Sequence, residues 1–154
     1  PRCHGNRVVA GISFEPGTQP SIRQPGAMAK ILIVDWEEEE RVHLWSILEE
    51  EHELFFASDG KAALEVWQKQ QVALVVTELY LPELNGLRLI KELVERDPAA
   101  RILAISAISA DQLDLAEDLG ATAILYKPVE PPQLLEAVTR SLEGYRPSRT
   151  DRWR

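Results

Sequence analysis

Five short runs of consecutive apolar residues punctuate the chain, and each precedes a longer segment in which apolar residues recur every three or four positions. Short runs rich in β-branched residues are typical of buried strands, whereas the longer period is that of an amphipathic helix. The pattern therefore predicts five strand–helix pairs. The predicted strands span residues 31–34, 54–57, 73–76, 102–105 and 123–125. The predicted helices span residues 37–52, about 59–70, 87–96, 111–119 and 131–142.

The first strand and the first helix illustrate how these elements are expected to pack. Residues 31–34 are all apolar, which is typical of a strand buried on both faces of a sheet. In the helix that follows, Val42, Trp45 and Leu48 recur at intervals of three, and we expect this stripe to face the core. Two neighbours widen the stripe, Leu44 and Ile47.

Strands that alternate with helices form βαβ units, so the fold class is α/β with a mostly parallel sheet and right-handed crossovers. In open sheets of this kind, functional sites lie beyond the carboxyl ends of the strands. That rule selects four polar residues that end or follow predicted strands. They are Asp35, Glu78, Ser106 and Lys127.

The two ends of the chain differ from the middle in composition. Residues 1–27 hold four glycines and four prolines without a sustained hydrophobic period, and Met28 then precedes the first strand. We predict a disordered leader over residues 1–27, either a remnant of cloning or a misplaced start. Residues 144–154 are predicted to form a flexible basic tail. One domain over residues 28–143 remains, which suits a chain of 154 residues.

The charge and the cysteine content narrow the possible functions. The formal net charge is −8, and because both ends are basic, residues 28–140 carry −12. An acidic body argues against non-specific nucleic-acid binding. No apolar stretch is long enough to span a membrane. The lone cysteine, Cys3, permits neither an internal disulfide nor a cysteine-based zinc site, and it favours a reducing, cytoplasmic compartment.

Six short motifs occur in a fixed order from residue 29 to residue 143. They are Lys30-Ile-Leu-Ile-Val-Asp35, Arg41 in the first helix, Ala57-Ser-Asp-Gly60, Leu79-Tyr-Leu-Pro82 with Asn85-Gly86, Ser106-Ala107 and Lys127-Pro128. Together they resemble the receiver domain of two-component response regulators. The resemblance implies a flavodoxin-like fold, a doubly wound five-stranded parallel sheet with the strand order 2-1-3-4-5.

The resemblance also implies a chemistry for the strand-end residues. In the family, an aspartate at the end of the third strand accepts a phosphoryl group from a histidine kinase, and Glu78 stands at that position. Ser106 and Lys127 would contact the phosphoryl oxygens, because phosphoryl transfer depends mostly on positioning and charge neutralisation. A weak Mg²⁺ site would use Asp35, Glu78 and the Tyr80 carbonyl, since Mg²⁺ takes oxygen ligands.

Two residues of this site depart from the family pattern. Glu78 is longer than an aspartate by one methylene, and a displaced nucleophile costs on the order of a hundredfold in rate. Trp36 replaces the second metal-binding acid, and an indole cannot bind Mg²⁺, so we predict weak or absent Mg²⁺ binding. The longer carboxylate reaches towards Ser106 and Lys127 as a phosphoryl group would. The simpler interpretation is a structural ion pair between Glu78 and Lys127.

The leading hypothesis is a single-domain pseudo-receiver, not an enzyme, that acts by protein–protein contact without ordinary aspartyl phosphorylation. Its expected partner is a histidine kinase or a downstream effector at about residues 111–142, which is also a candidate homodimer face. Ile124 replaces the usual aromatic switch residue, which favours a static module. The alternative is a functional phospho-acceptor that uses Glu78. A flavodoxin-like enzyme or nucleotide binder is disfavoured, because no phosphate-cradling loop follows the first strand.

Overall fold

The computed structural model describes residues 28–107 and 110–144, in which strands and helices alternate. Its strands are β1 (Ala29–Val34), β2 (His52–Ala57), β3 (Leu74–Glu78), β4 (Ile102–Ser106) and β5 (Ala123–Tyr126). Its helices are α1 (Glu38–Leu48), α2 (Gly60–Gln70), α3 (Gly86–Arg96), α4 (Ala110–Leu119) and α5 (Pro131–Leu142). Each predicted strand and helix is therefore present, with shifts at the ends.

The strands form one parallel sheet in the order β2-β1-β3-β4-β5. The central strands β1 and β3 pair from Ile31 opposite Leu74 to Val34 opposite Thr77. This topology confirms the predicted α/β class and the flavodoxin-like order 2-1-3-4-5. Because the strands run in the same direction, their carboxyl ends meet along one edge of the sheet.

Helices cover the sheet on both faces, and β1 shows how. Its successive side chains point to opposite faces. Ile31 and Ile33 pack with residues of α1 and α5. Leu32 and Val34 pack with residues of α2, α3 and α4. None of the four is more than 1% exposed, so the prediction that this strand is buried on both faces is confirmed.

The packing of the first helix differs from the prediction. α1 ends at Leu48, and His52, the predicted end of the helix, begins β2. Leu44 and Leu48 are buried, whereas Val42 is 55% and Trp45 is 42% exposed. Successive helical residues turn by about 100°, so positions 42 and 48 point in directions about 120° apart. The predicted inward stripe is therefore wrong for Val42 and Trp45.

The loops that follow β2 and β3 are fixed by side-chain caps. Asp59 accepts a hydrogen bond of 2.7 Å from a backbone amide in the first turn of α2. Asn85 accepts one of 2.9 Å from an amide of α3. The neighbouring Gly86 lies so close to β3 that a Cβ there would collide with the backbone of Glu78 and Leu79. The end of β3, which carries Glu78, is thus held directly against the start of α3.

The predictions for the ends of the chain stay predictions. The leader over residues 1–27 and the basic tail beyond Gly144 lie outside the described residues. Within residues 28–107 and 110–144, no helix combines the length and the apolar character needed to cross a bilayer.

Replacing Gly86 with alanine tests the close approach of α3 to the end of β3. We expect a loss of about 1–3 kcal/mol in the free energy of unfolding, because the added methyl group must displace backbone. Urea denaturation measures this loss. Lys91→Ala, at an exposed position of the same helix, is the control and should change stability by less than about 0.5 kcal/mol. Equal stability of the two variants would contradict the close approach.

Candidate functional site

Four polar residues meet at the carboxyl edge of the sheet. Glu78 ends β3 and Ser106 ends β4, while Asp35 follows β1 and Lys127 follows β5. Since β1, β3, β4 and β5 are successive neighbours in the sheet, their ends lie side by side. Glu78 is 6% exposed, Asp35 and Ser106 are 1% exposed or less, and the Lys127 side chain is 15% exposed. The structure thus brings together the four residues that the strand-end rule selects.

One oxygen of the Glu78 carboxylate carries three hydrogen bonds. Its Oε1 accepts from the backbone amides of Leu79 at 2.7 Å and Tyr80 at 3.0 Å. The hydroxyl of Ser106 donates to the same oxygen at 2.6 Å. The Thr77 hydroxyl donates to the Glu78 carbonyl at 2.8 Å. The three hydrogen bonds to Oε1 are charge-assisted, and they offset the cost of burying the carboxylate.

The ammonium group of Lys127 faces the other carboxylate oxygen. Its Nζ lies 2.8 Å from Oε2 of Glu78 and 3.1 Å from Oδ2 of Asp35. Oε2 of Glu40, in the first turn of α1, lies 3.8 Å from the same nitrogen. Three carboxylates therefore surround one largely buried cation, and the cluster as a whole is acidic.

Asp35 is fixed by the start of α1. Its Oδ1 accepts a hydrogen bond of 3.0 Å from the amide of Glu37, the N-cap residue of the helix. Its backbone carbonyl accepts one of 2.7 Å from Nη1 of Arg41. These contacts leave Oδ2 directed to Lys127.

The pKa values of the central pair move apart. Burial by itself raises the pKa of Glu78, but hydrogen bonds from Lys127, Ser106 and the Tyr80 amide, together with the lysine charge, bring it below the ordinary glutamate value. Burial lowers the pKa of Lys127, but its hydrogen bonds to Glu78 and Asp35 and their charges raise it above the ordinary lysine value. Both groups therefore stay charged at neutral pH.

The carboxylate oxygens at this edge, which a divalent cation would need as ligands, already bind protein groups. Both oxygens of Asp35 and both of Glu78 already accept bonds from N–H, O–H or ammonium groups. Mg²⁺ needs several oxygen ligands in near-octahedral geometry, and at Asp35 and Glu78 it would compete with Lys127 for them. Among the residues described, no cluster of three or more His, Cys, Asp or Glu side chains is arranged to hold a metal ion. In this arrangement the Lys127 ammonium neutralises the carboxylates of Glu78 and Asp35.

Two further predicted residues lie at the mouth of the site. Trp36, which follows Asp35, is 49% exposed, so about half of its surface is open to solvent. Tyr80 is 68% exposed and contributes its backbone N–H, which donates to Glu78. The role of its carbonyl as a metal ligand stays a prediction.

Sequence reasoning did not select Glu40 or Thr77. Four consecutive glutamates begin α1, and the sequence alone does not tell which of them turns towards Lys127. Only Glu40 is half-buried, because it lies on the side of the first turn nearest β5. A single hydroxyl in an otherwise apolar strand was the available signal for Thr77, which is fully buried.

Replacing Lys127 with methionine tests the shared cation. We expect the free energy of unfolding to fall by about 3 kcal/mol, because two buried carboxylates lose their counter-charge. Urea denaturation of the variant and of Lys127→Met/Glu78→Gln checks this, and the double variant should recover part of the loss. The control is Lys91→Met, whose exposed ion pair with Glu95 should contribute less than about 1 kcal/mol. Equal stability of Lys127→Met and the wild type would contradict the cluster.

The dependence of the free energy of unfolding on pH in the acid range tests the lowered pKa of Glu78. Because that pKa is lower in the folded protein than the ordinary 4.5, ionised Glu78 stabilises the fold at neutral pH. This stabilisation is lost as the pH falls from the ordinary pKa of 4.5 through the lower pKa of the folded protein. The stability difference between the wild type and Glu78→Gln should therefore shrink below about pH 4.5. Urea denaturation across the acid range measures it, with Glu65→Gln as the exposed control. A constant difference would contradict the shift.

Comparison with known proteins gives the family. The sequence profile of the response regulator receiver domain matches residues 31–139. Protein CcdB of Bacillus subtilis is 31% identical over 116 residues, which cover 73% of this chain and 97% of that protein. The chemotaxis protein CheY of Halobacterium salinarum is 31% identical over 115 residues, with 73% of this chain and 96% of that protein covered.

Solved structures share the fold over the same region. A response regulator receiver domain protein from Clostridium thermocellum superposes with a TM-score of 0.73 at 25% identity, over 76% of this chain and 96% of that chain. A CheY-like receiver domain protein from Methanospirillum hungatei gives a TM-score of 0.72 at 25% identity, over 77% of this chain and 96% of that chain. The matched profile spans most of the chain and every strand-end residue of the site. The chain belongs to the response regulator receiver domain family.

Proposed function

We propose that this protein is a pseudo-receiver, which keeps the receiver fold and carries its own carboxylate where other members bind a phosphoryl group. The observation that supports this is the set of donors around Glu78. Ser106 and Lys127 stand at the family positions that contact phosphoryl oxygens, and here they bind the two oxygens of Glu78. The side chain at the acceptor position thus engages the groups that a phosphoryl group would need.

The same contacts oppose phosphorylation of Glu78. Oε1 accepts three hydrogen bonds and Oε2 pairs with Lys127 at 2.8 Å, and these contacts withdraw electron density from both oxygens and make them weaker nucleophiles. Receiver domains typically use Mg²⁺ at this edge, and here Mg²⁺ would have to compete with Lys127 for Asp35. We infer that Mg²⁺ binds weakly or not at all and that phosphoryl transfer is correspondingly slow.

The built-in carboxylate also fixes the state of the site. A carboxylate carries one negative charge, whereas a phosphoryl group carries about 1.5 to 2 at neutral pH. Glu78 therefore satisfies Ser106 and Lys127 permanently but with less charge. The half-buried Ile124, at the usual position of the aromatic switch residue, supports a module that does not change state.

As a receiver domain, the protein takes part in two-component signal transduction. We propose that it acts by contact, without enzymatic activity, on a histidine kinase or a downstream effector. The proposed contact face comprises residues 111–142, and the same face is a candidate for homodimer formation. We propose no nucleic-acid or membrane partner, and a cytoplasmic location.

An amide NMR titration of the full chain tests the proposal. Mg²⁺ is added first to millimolar concentration, followed by beryllofluoride as a phosphoryl mimic. We expect no cluster of shifts at Asp35, Glu78, Ser106 and Lys127, because their polar atoms are already engaged. Clustered shifts that saturate would contradict the proposal.

The variant Trp36→Asp/Glu78→Asp restores the family pattern and is the matched control. We expect it to gain a phosphoryl adduct from acetyl phosphate and Mg²⁺, detected by intact-protein mass spectrometry, while the wild type gains none. An adduct on the wild type that Glu78→Gln abolishes would instead establish a phospho-acceptor that uses Glu78.

A further inference from the structure

An exposed apolar groove lies beside the edge strand β2, at the opposite side of the sheet from β5. Val42 and Trp45 of α1 and Phe56 of β2 line it, and they are 55%, 42% and 41% exposed. The groove encloses about 350 Å³, and Glu38 and Arg41 complete its lining. Large apolar side chains that are exposed together, rather than singly, are typical of interaction sites.

Helix and strand geometry explain why these side chains share one surface. The spacing of four, three and four residues places Glu38, Val42 and Trp45 of α1 and its C-cap residue, Glu49, on one face. Phe56 pairs with a β1 residue that packs in the same layer as α1, so it points to the sheet face that α1 covers. The apolar centre of the groove is therefore bracketed along the helix by a glutamate at each end.

The fold does not require this apolar surface. α1 packs on the sheet through Leu44 and Leu48, which are 4% and 0% exposed. Val42 and Trp45 lie to one side of this packing face and belong to neither core cluster. α1 thus has two apolar faces, and the described part of the chain uses only one of them for packing.

The surroundings of the groove are strongly acidic. Residues 37–53 hold eight glutamates and one arginine. The guanidinium of that arginine, Arg41, donates to the Asp35 carbonyl at 2.7 Å. Glu38 and Glu49 are both exposed. A second copy of this chain would bring glutamates against glutamates, so charge disfavours a homodimer at this surface.

We propose that the groove between α1 and β2 binds a cationic amphipathic segment of another protein. A large apolar side chain of that segment occupies the space between Val42, Trp45 and Phe56. Lys or Arg residues on either side of it face Glu38 and Glu49. The buried anchor supplies most of the affinity, while the charges at the rim steer association and exclude acidic partners.

This surface is separate from the proposed partner face at residues 111–142. β2 and β5 are the two edges of the sheet, so both surfaces can be occupied at the same time. The proposal does not rest on the state of Glu78. Phosphorylation of the wild-type protein would overturn the pseudo-receiver proposal and leave this one intact.

The test uses the full chain and a fluorescently labelled synthetic helix with leucine on one face and lysine and arginine on the other. Fluorescence anisotropy measures its affinity for the wild type, Trp45→Gln and Leu115→Gln. Leu115 is 44% exposed on α4, so it matches Trp45 in exposure and lies in the other candidate face. Thermal unfolding followed by circular dichroism establishes that the variants are folded.

We expect Trp45→Gln to weaken binding about tenfold or more and Leu115→Gln to leave it unchanged, since truncation of a central anchor removes most of an interface's affinity. High ionic strength and a peptide with glutamate in place of its basic residues should both weaken binding, since the charges at the rim steer association.

Four results would overturn the proposal. Equal binding to all three proteins would mean non-specific attraction to an acidic surface. Loss of binding in Leu115→Gln alone would move the site to residues 111–142. A wild-type dimer in sedimentation that Trp45→Gln dissociates would show that a second copy occupies the groove. A second groove variant, Val42→Gln, must weaken binding in the same direction as Trp45→Gln, and a failure to do so also counts against the proposal.

Discussion

The ammonium group of Lys127 is the charge on which the carboxyl edge of the sheet depends. It stands between the buried carboxylates of Glu78 and Asp35, which end or follow adjacent strands. Two buried negative charges that face the same point repel each other, and the cation between them offsets that repulsion. The remaining contacts of the edge are arranged around this cluster. Ser106 and two backbone amides hold the far oxygen of Glu78, and the start of α1 holds Asp35.

A receiver domain recognises a negative group at this edge and exchanges that group with a kinase, and the two tasks depend on different features of the molecule. The fold positions strand ends so that a negative group can be recognised, and the family shares that property. Under the proposed function, what differs here is the source of the negative group, which is the carboxylate of Glu78. Under the proposed function, no phosphoryl group is exchanged with a kinase. The Glu78 carboxylate takes its place permanently, and the hydrogen-bond donors around it have a structural role. The groove between α1 and β2 lies away from this edge and is the second contact surface that we propose.

The sequence predicted the fold and the members of the site well, because both depend on strand ends. Five apolar runs predict the strands. Because the strands are parallel, the residue that ends or follows each run lies at the carboxyl edge of the sheet. The pairing of contacts could not be predicted in this way. Asp35 and Glu78 compete for Lys127, and only the coordinates show that the lysine is shared. The choice of Glu40 among four consecutive glutamates depends on where α1 begins. The outward position of Trp45 was missed because α1 has two apolar faces, and a count of apolar spacing does not tell which of them meets the sheet.

The three donors on Oε1 of Glu78 have a consequence for how a cell would read this protein. The signal of a phosphorylated receiver lasts for a limited time, because it decays as the phosphoryl group is hydrolysed. A carboxylate encoded in the chain does not decay, so its signal lasts as long as the polypeptide. Occupancy of any partner then follows mass action, from the number of molecules present and their affinity. Under the proposed function, synthesis and degradation of the chain replace kinase and phosphatase, and the protein reports its own abundance.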